Sequence, residues 1–242
     1  MRTVCIDAGN SSIKIAFLEN SAILTSVAFA HDDKAGLEEY LKSLPQIDGS
    51  ILAAVRNVEA TIVEAIKQKS DLFINLSADT PVPVHNLYKT PETLGKDRLA
   101  AVVGAYSMFP GKDVLIFDAG TALTIDFLDR NGNFRGGNIS PGLNMRFKAL
   151  HEYTEKIFFC EQSDDYQLIG ENSSSAIVSG VQFGMIFEVK NYIDIFVKKY
   201  PELVVILTGG DMNFFVNKFE TRIFAEPNLV FIGLDKIIKY NC

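Results

Sequence analysis

One strand–loop–strand unit occurs twice in the chain, and this repeat limits the possible folds more than any other feature. Asp7–Gly9 follows a short apolar strand and precedes the apolar segment Ile15–Glu19. Asp118–Gly120 likewise follows an apolar strand and precedes Ile125–Asp129. Each Asp-Ala-Gly ends one strand and turns into the next, and the first loop is one residue longer than the second. The matching second strands favour duplication over chance recurrence of a common turn, so we predict two similar halves.

The remaining pattern alternates strands with helices, which predicts an α/β protein. Strands are predicted at Thr3–Asp7, Ile13–Leu18, Ala22–Phe29, Ile51–Val55, Asp71–Leu76, Asn133–Ile139 and Leu203–Leu207. Helices are predicted at Lys34–Leu44, Val58–Lys69 (with Asn57 as N-cap), Lys96–Met108, 143–151 and Ser174–Lys199. A further helix after Asp211, a strand near Asn228–Ile232 and a short helix from Leu234 complete the chain. The second half is expected to start at Val114, which gives two domains, residues 1–113 and 114–242.

Composition excludes several classes of protein. The 242 residues suffice for two compact halves, and the net charge of −7 argues against a general nucleic-acid surface. The cysteines Cys5, Cys160 and Cys242 are far apart and form no CxxC pair, which predicts free thiols in a reducing compartment. The chain begins with a strand rather than a signal segment, and no apolar run reaches the roughly 18 residues of a membrane span. We therefore expect a cytoplasmic protein that binds neither membranes nor nucleic acids.

The repeated loops, Asp7–Ser12 (the first loop) and Asp118–Thr121 (the second loop), have the chemistry of phosphate-binding turns. Glycine lets the backbone approach a ligand closely, so that successive N–H groups can point at anionic oxygens. The Asn10 amide and the neighbouring hydroxyl groups add further donors, and an aspartate can hold a metal ion through water. Together the loops predict a polyphosphate site in a cleft between the halves. The glycines of Thr208–Asp211 can admit an adenosine.

The paired loops and the late Gly-Gly resemble the superfold shared by actin, sugar kinases and heat-shock chaperone ATPases. Within it, the ordered motifs resemble those of type III pantothenate kinase over nearly the whole chain. These motifs are Asp7–Lys14, Tyr88 with Gly95–Arg98, Asp118–Ala122, Gly136–Gly142, Gly170–Ser173 and Thr208–Asp211. Ser11 and Ser173 stand where the family usually has threonine. Both keep the hydroxyl group, so this departure bears on packing more than on chemistry.

The resemblance implies a fold, a reaction and an assembly. The fold is a pair of duplicated ribonuclease-H-like domains of the actin-like ATPase type around a central cleft. The reaction transfers the γ-phosphoryl group of ATP to the primary hydroxyl of pantothenate, which is the first step of coenzyme A biosynthesis. Mg²⁺ and a monovalent cation, K⁺ or NH₄⁺, assist the transfer. The implied assembly is a homodimer, with the long helix near its interface.

The resemblance also implies roles for individual residues. Asp97 matches the catalytic base, and its cationic neighbours and helix-start position favour a negatively charged carboxylate. Asp118 matches a monovalent-cation ligand and Asp7 a magnesium ligand. Substrate contacts fall on Tyr88, Gly95, Lys96, Asp97, Arg98 and Ser173. ATP contacts fall on Asp7, Ala8, Gly9, Asn10, Ser11, Ser12, Ile13, Lys14 and Thr121. The planar guanidinium of Arg98 suits the carboxylate of pantothenate.

Plainer explanations exist for the same residues. Asp97 can be a helix N-terminal acid, Ser173 an N-cap, Tyr88 a packing residue and Asp118 a turn residue. Two other functions fit the motifs less closely: a kinase for another small molecule, and a non-enzymatic regulator, since some family members are labelled accessory transcription factors. No zinc-binding or P-loop motif is present, and the remaining histidines, including His31, are expected at the surface.

Overall fold

The computed structural model describes all 242 residues, which form two compact units. The first unit comprises Met1–Gly111, Leu128–Arg135 and Asn228–Cys242, and the second comprises Lys112–Phe127 and Gly136–Pro227. The boundary after Gly111 lies close to the predicted boundary before Val114. The C-terminal segment Asn228–Cys242, however, packs with the first unit rather than the second. Packing into compact units and duplication of a sequence unit are separate properties, so the division into halves at residues 1–113 and 114–242 stays a prediction.

The chain forms eleven strands and six α-helices. The strands are β1 (Arg2–Ala8), β2 (Ile13–Glu19), β3 (Ala22–Phe29), β4 (Ile47–Ala54), β5 (Ser70–Asn75), β6 (His85–Asn86), β7 (Val114–Ala119), β8 (Ala122–Leu128), β9 (Asn133–Pro141), β10 (Val204–Thr208) and β11 (Ile223–Ala225). The helices are α1 (Lys34–Ser43), α2 (Ala60–Gln68), α3 (Lys96–Met108), α4 (Leu143–Glu152), α5 (Ser173–Lys199) and α6 (Leu229–Tyr240). None of these helices is long and apolar enough to cross a membrane.

The two sheets share one strand order, which confirms the predicted α/β fold with a duplicated unit. The first sheet runs β3-β2-β1-β4-β5, with β1 antiparallel to β2 and parallel to β4. The second runs β9-β8-β7-β10-β11, with β7 parallel to β10, and the two-residue strand β6 pairs with the start of β9. In each sheet, three sequential strands lie beside two that are reached by crossovers. The Asp-Ala-Gly loops therefore occupy equivalent positions, at the turn between the first and second strands.

Most predicted elements are confirmed within a few residues, but the C-terminal prediction is wrong. Residues 229–240 form one helix, α6, instead of a strand followed by a short helix. Its apolar run is compatible with both structures on periodicity alone. The region after Asp211 forms only a 3-10 turn, Met212–Phe215, in place of the predicted helix. Glu59, rather than Asn57, is the residue that precedes α2.

Helices α3 and α6 cross at unusually close range because each has a glycine at the contact. A Cβ atom on Gly233 would lie 1.8 Å from the Ala100 carbonyl oxygen, and one on Gly104 would lie 2.3 Å from the Leu229 carbonyl oxygen. Any larger residue at either position would force the helices apart. This packing is the physical reason that the C-terminal helix belongs to the first unit.

A buried carboxylate fastens α6 to the first sheet. Asp235, which is 3% exposed, accepts hydrogen bonds from the hydroxyl of Thr3 on β1 at 2.7 Å and from that of Ser21 at 2.8 Å. Lys239 donates to the same carboxylate from one turn further along α6, at 2.7 Å. Because a buried charge is tolerated only when it is paired and hydrogen-bonded, this cluster sets where α6 lies on β1.

Candidate active site

The first loop is a four-residue connection between β1 and β2. Its closing hydrogen bond runs from the Gly9 N–H to the Ser12 carbonyl oxygen, at 3.1 Å. Asn10 and Ser11 are exposed at its tip, whereas Ala8 and Ile13 are buried in the flanking strands. The loop therefore presents backbone amides and small polar side chains to solvent from a rigid base, as an anion-binding turn requires.

Asp7, at the end of β1, has an unfavourable electrostatic environment. Burial, followed by the negative charge of Asp97, raises the pKa of Asp7 to about 6, and the cross-strand neighbour Lys14 opposes this shift. Because the charge of Asp97 acts on Asp7, the two carboxylates lie in one region of the first unit. A cation beside Asp7 would relieve both the desolvation and the repulsion.

Asp97 lies in the first turn of α3, as its sequence position predicts. Its carboxylate oxygen Oδ1 accepts a hydrogen bond from the Arg98 N–H at 2.8 Å. A Cβ atom on Gly95, two residues earlier, would lie 2.5 Å from that oxygen, so glycine leaves the space that the carboxylate occupies. The amide end of a helix stabilises a negative charge. The geometry thus holds a partly exposed carboxylate in a defined orientation.

Arg98 and Tyr88 form a second polar group in the same unit. The guanidinium of Arg98 lies over the Tyr88 ring, with 5.5 Å between its central carbon and the ring centroid, although the residue is only 5% exposed. The Tyr88 ring stacks on Phe134, with 6.2 Å between centroids and 7° between planes. Lys96 lies beside them and donates to the Leu94 carbonyl oxygen. Phe134 lies in no motif, so the sequence did not identify it as a site residue. Its contact with Tyr88 depends on the pairing of β6 with β9.

The second loop, in the other unit, is packed against the Gly-Gly turn that follows β10. Gly209 has φ of +94°, and a Cβ atom there would lie 2.3 Å from the Ala119 carbonyl oxygen and 2.5 Å from Asp118 Oδ1. The Asp211 N–H donates to the same carbonyl oxygen at 2.8 Å. Only glycine permits this approach, so Asp118 and the Gly-Gly turn form one structural unit, with Thr121 exposed at the loop tip.

A further turn, Ser140–Gly142, packs on the same loop. The Gly142 N–H donates to the Thr121 carbonyl oxygen at 3.2 Å, and a Cβ atom on Gly142 would lie 2.2 Å from the Gly120 carbonyl oxygen. Arg146 donates to the proline carbonyl and serine hydroxyl oxygens of this turn, each at 2.9 Å, and pairs with Glu188 on α5. Sequence reasoning found the turn as a motif but missed Arg146, which nothing in its local sequence marks.

A cavity of about 360 Å³ opens beside Gly210 and Asp211 in the second unit. The cavity is also lined by Gln162, Ser163, Asp164 and Tyr166. The fully buried side chain of Gln182 fixes this segment by two hydrogen bonds to the Ser163 backbone, at 2.9 and 3.0 Å. Burial raises the pKa of Asp211. The volume is within the ~300–1,000 Å³ range of small-molecule pockets.

Ser173 is the first residue of α5 and is exposed. The helix is capped by Asn172, whose Oδ1 accepts from the Ser175 N–H at 3.0 Å, and by the reciprocal Ser175 hydroxyl. The N-cap explanation of Ser173 is therefore wrong. Its hydroxyl takes no part in the capping box and lies at the amide end of a long helix.

No group of three or more His, Cys, Asp or Glu side chains in the structure could by itself hold a metal ion. Mg²⁺ usually takes only one or two protein carboxylates and completes its coordination with phosphate oxygens and water. Asp7 fits that requirement, because burial and the charge of Asp97 disfavour its charged form more than Lys14 favours it. The structure brings Asp7, Asp97, Arg98 and Tyr88 together in the first unit, whereas Asp118, Thr121 and Ser173 belong to the second.

The family model and the similar relatives name one family, and the solved structures share the fold. A family model described as type III pantothenate kinase matches residues 3–195. A protein of that name from Phocaeicola vulgatus is 44% identical over 98% of this chain and 97% of its own. Among solved structures, a candidate Baf family transcriptional activator from Campylobacter jejuni aligns over 98% of both chains, with a TM-score of 0.60 and 24% identity. A glucokinase from an Antarctic psychrotroph aligns over 99% of both, with a TM-score of 0.55 and 11% identity. At these identities, the structural matches show the fold alone.

The Asp7→Asn variant should be more stable than the natural protein at neutral pH. The folded protein binds a proton on Asp7 more tightly than the unfolded chain does, so the contribution of this carboxyl to stability falls as pH rises from about 4 to about 6. Above pH 6.5, in metal-free buffer, we expect a gain of about 1–3 kcal/mol in the free energy of unfolding, and below pH 4 almost none. Urea unfolding at both pH values measures this difference. The exposed Asp79→Asn variant is the control. A gain in stability that is the same at both pH values would contradict the raised pKa of Asp7.

Proposed function

The chain belongs to the type III pantothenate kinase family, and on that premise we propose that Asp97 is the base of the phosphoryl transfer. The family's reaction is the ATP-dependent phosphorylation of pantothenate, the step that opens coenzyme A biosynthesis. The observation that carries the proposal is the carboxylate of Asp97, held at the start of α3 beside Arg98 and coupled to Asp7. The relatives give no support to a kinase for another small molecule or to a purely regulatory protein.

Asp97 acts by position more than by basicity. In a loose transition state the attacking hydroxyl loses its proton late, so a carboxylate at the right place is sufficient. The fixed orientation at Gly95, with Oδ1 engaged by a backbone N–H, supplies that place. The second oxygen, Oδ2, is the one we assign to the pantothenate hydroxyl.

Arg98 and Tyr88 form the proposed pantothenate-carboxylate site. A guanidinium offers parallel N–H donors that match both oxygens of a carboxylate, and the Tyr88–Phe134 stack restrains its plane. Gly95 and Lys96 flank this pair at the start of α3, and we include both among the substrate contacts. Ser173 is included because its hydroxyl is exposed at the helix start and is not used as a cap.

The first loop, together with Ile13 and Lys14 at the start of β2, is the proposed phosphate contact of ATP in the first unit. Its exposed tip supplies N–H and hydroxyl donors, and the Lys14 ammonium is exposed on β2. Asp7 is the proposed magnesium ligand, because a divalent cation would offset the desolvation and the repulsion from Asp97 that raise its pKa. Bound magnesium would neutralise phosphate charge, which a chain of net charge −7 cannot do with amides alone.

In the second unit, Asp118 is the proposed ligand of K⁺ or NH₄⁺, and Thr121 is a proposed nucleotide contact. A Cβ atom on Gly209 would lie 2.5 Å from Asp118 Oδ1, so the Gly-Gly turn approaches this carboxylate closely. A carboxylate in an ATP site favours an anionic ligand only when a cation lies between them. The cavity beside Gly210 and Asp211 is the proposed place for the nucleoside.

A homodimer built on α5 is the proposed assembly. Gly180, Gly184, Phe187 and Ile195 recur at three-, four- and eight-residue spacings on one exposed face of this helix. Nothing lies within 4 Å of a Cβ atom placed on either glycine, and Phe187 and Ile195 are 52% and 54% exposed. Large apolar side chains beside small ones suit close packing of two helices.

We also propose a cytoplasmic location. The three cysteines form no disulfide, which supports a reducing compartment.

The Asp97→Asn variant should lose most of its turnover while it still binds nucleotide. Removing a general base typically costs 10²–10⁴-fold in rate, and the amide preserves shape. A coupled assay of pantothenate-dependent ADP release measures turnover, and calorimetric titration with ATP measures binding. Asp79→Asn serves as the control. A rate within about threefold of the natural protein would refute the assignment of the base.

The Asp118→Asn variant should use ATP poorly and respond weakly to potassium. The neutral amide no longer attracts a monovalent cation, so the phosphate charge stays uncompensated. Initial rates against potassium concentration, compared with sodium, give the activation, and thermal melts follow stability. A merely structural aspartate would lower the melting temperature and leave the potassium activation intact, and this pattern would rule out Asp118 as the cation ligand.

The Gly184→Arg variant should be monomeric. The side chain has room on the isolated chain, so the fold is retained, but the bulk and charge prevent two α5 helices from meeting. Sedimentation velocity compares it with the natural protein and with Lys236→Ala, an exposed control on α6. A monomeric natural protein at micromolar concentration, or a dimeric Gly184→Arg variant, would count against this interface.

A further inference from the structure

His31 lies against the first loop, although its sequence position suggests an ordinary surface histidine. It follows β3 and precedes Asp33, the N-cap of α1, and its side chain is partly buried. Its Nε2 atom is 3.1 Å from the Gly9 carbonyl oxygen and 3.2 Å from the Asn10 carbonyl oxygen. Carbonyl oxygens only accept hydrogen bonds, so Nε2 must carry the hydrogen. One imidazole N–H is thus shared between two successive backbone carbonyls of the loop.

Holding these carbonyls determines where the next two amides point. In a trans peptide the C=O of one residue and the N–H of the next point in opposite directions, and the chain contains no cis peptide. When the Gly9 and Asn10 carbonyls face His31, the N–H groups of Asn10 and Ser11 face away from it. Two successive N–H groups directed to one side form a concavity that binds anions.

We propose that His31 is a positioning residue for ATP, which orients the Asn10 and Ser11 amides toward the phosphate oxygens by holding the carbonyls behind them. This inference rests on the proposed role of the first loop in ATP binding. The closing hydrogen bond from Gly9 to Ser12 fixes the ends of the loop. His31 fixes the peptide planes between them. Without it, ATP binding must also order the exposed tip, which costs conformational entropy.

The test compares two replacements of similar length. His31→Gln keeps an N–H donor within reach of the carbonyls, whereas His31→Met fills the space without a donor. His31→Met should raise the KM for ATP about tenfold, the effect of losing one hydrogen bond of about 1.4 kcal/mol. Its kcat should stay within about threefold and its KM for pantothenate should be unchanged. His31→Gln should restore the KM for ATP to within about threefold of the natural value.

The matched control is His151→Met, because His151 also bonds a backbone carbonyl, that of Ile157, at 2.8 Å but lies in the second unit. A KM for ATP that is unchanged in His31→Met, or raised equally in both His31 variants, overturns the proposal. Direct titration with ATP measures the role of His31 in binding independently of the proposed reaction. A protein inactive on pantothenate, whose ATP affinity falls in His31→Met and recovers in His31→Gln, would support His31 and refute the proposed reaction.

A second readout does not depend on any variant. The ¹⁵N chemical shifts of the His31 ring in the natural protein should show a protonated Nε2 and an unprotonated Nδ1 at pH 8. The opposite tautomer would leave the loop carbonyls without their donor and would overturn the proposal even if His31→Met failed to fold.

Discussion

The close crossing of α3 and α6 is the contact on which the geometry of the first unit depends. Gly104 and Gly233 allow two helix backbones to touch, so the axis of α3 is set by backbone packing, which is stiffer than side-chain packing. Asp235 then ties α6 to β1. The C-terminal helix therefore connects the strand that ends at Asp7 with the helix that starts at Asp97. The relative position of these two carboxylates is fixed by residues far from both.

This rigidity has an electrostatic consequence. Desolvation of the Asp7 carboxylate and its repulsion by Asp97 destabilise the folded chain, and the pKa of Asp7, raised to about 6, reports that cost. A freely packing chain would separate the carboxylates or cover them with cations. Here the crossing at Gly104 prevents separation, so the repulsion is retained at the site, where a bound cation can relieve it.

The sequence predicted features that depend on neighbouring residues and missed those that depend on tertiary contacts. The bounds of α3 and the two Asp-Ala-Gly turns follow from local glycines and from strand patterns, and the prediction and the structure agree there. The α6 prediction was wrong because an apolar run containing Gly233 suits a strand or a helix, and only packing against α3 decides between them. His31 and Arg146 reach their loops across 22 and about five residues, and neither lies in a motif that marks phosphate chemistry.

The duplicated loops also show how one backbone plan can be stabilised in two ways. The second loop is short, and its peptide planes are fixed by the glycine backbones of Gly209 and Gly142, which leave no room for any side chain. The first loop spans one residue more between its hydrogen-bonded ends. No glycine turn of comparable closeness covers it, and the side chain of His31 holds its carbonyls instead. Steric contact of backbones tolerates no substitution, whereas a hydrogen bond from a side chain can be replaced by another donor. The strand order of the two sheets is the same, and the difference between the loops lies in what restrains their amides.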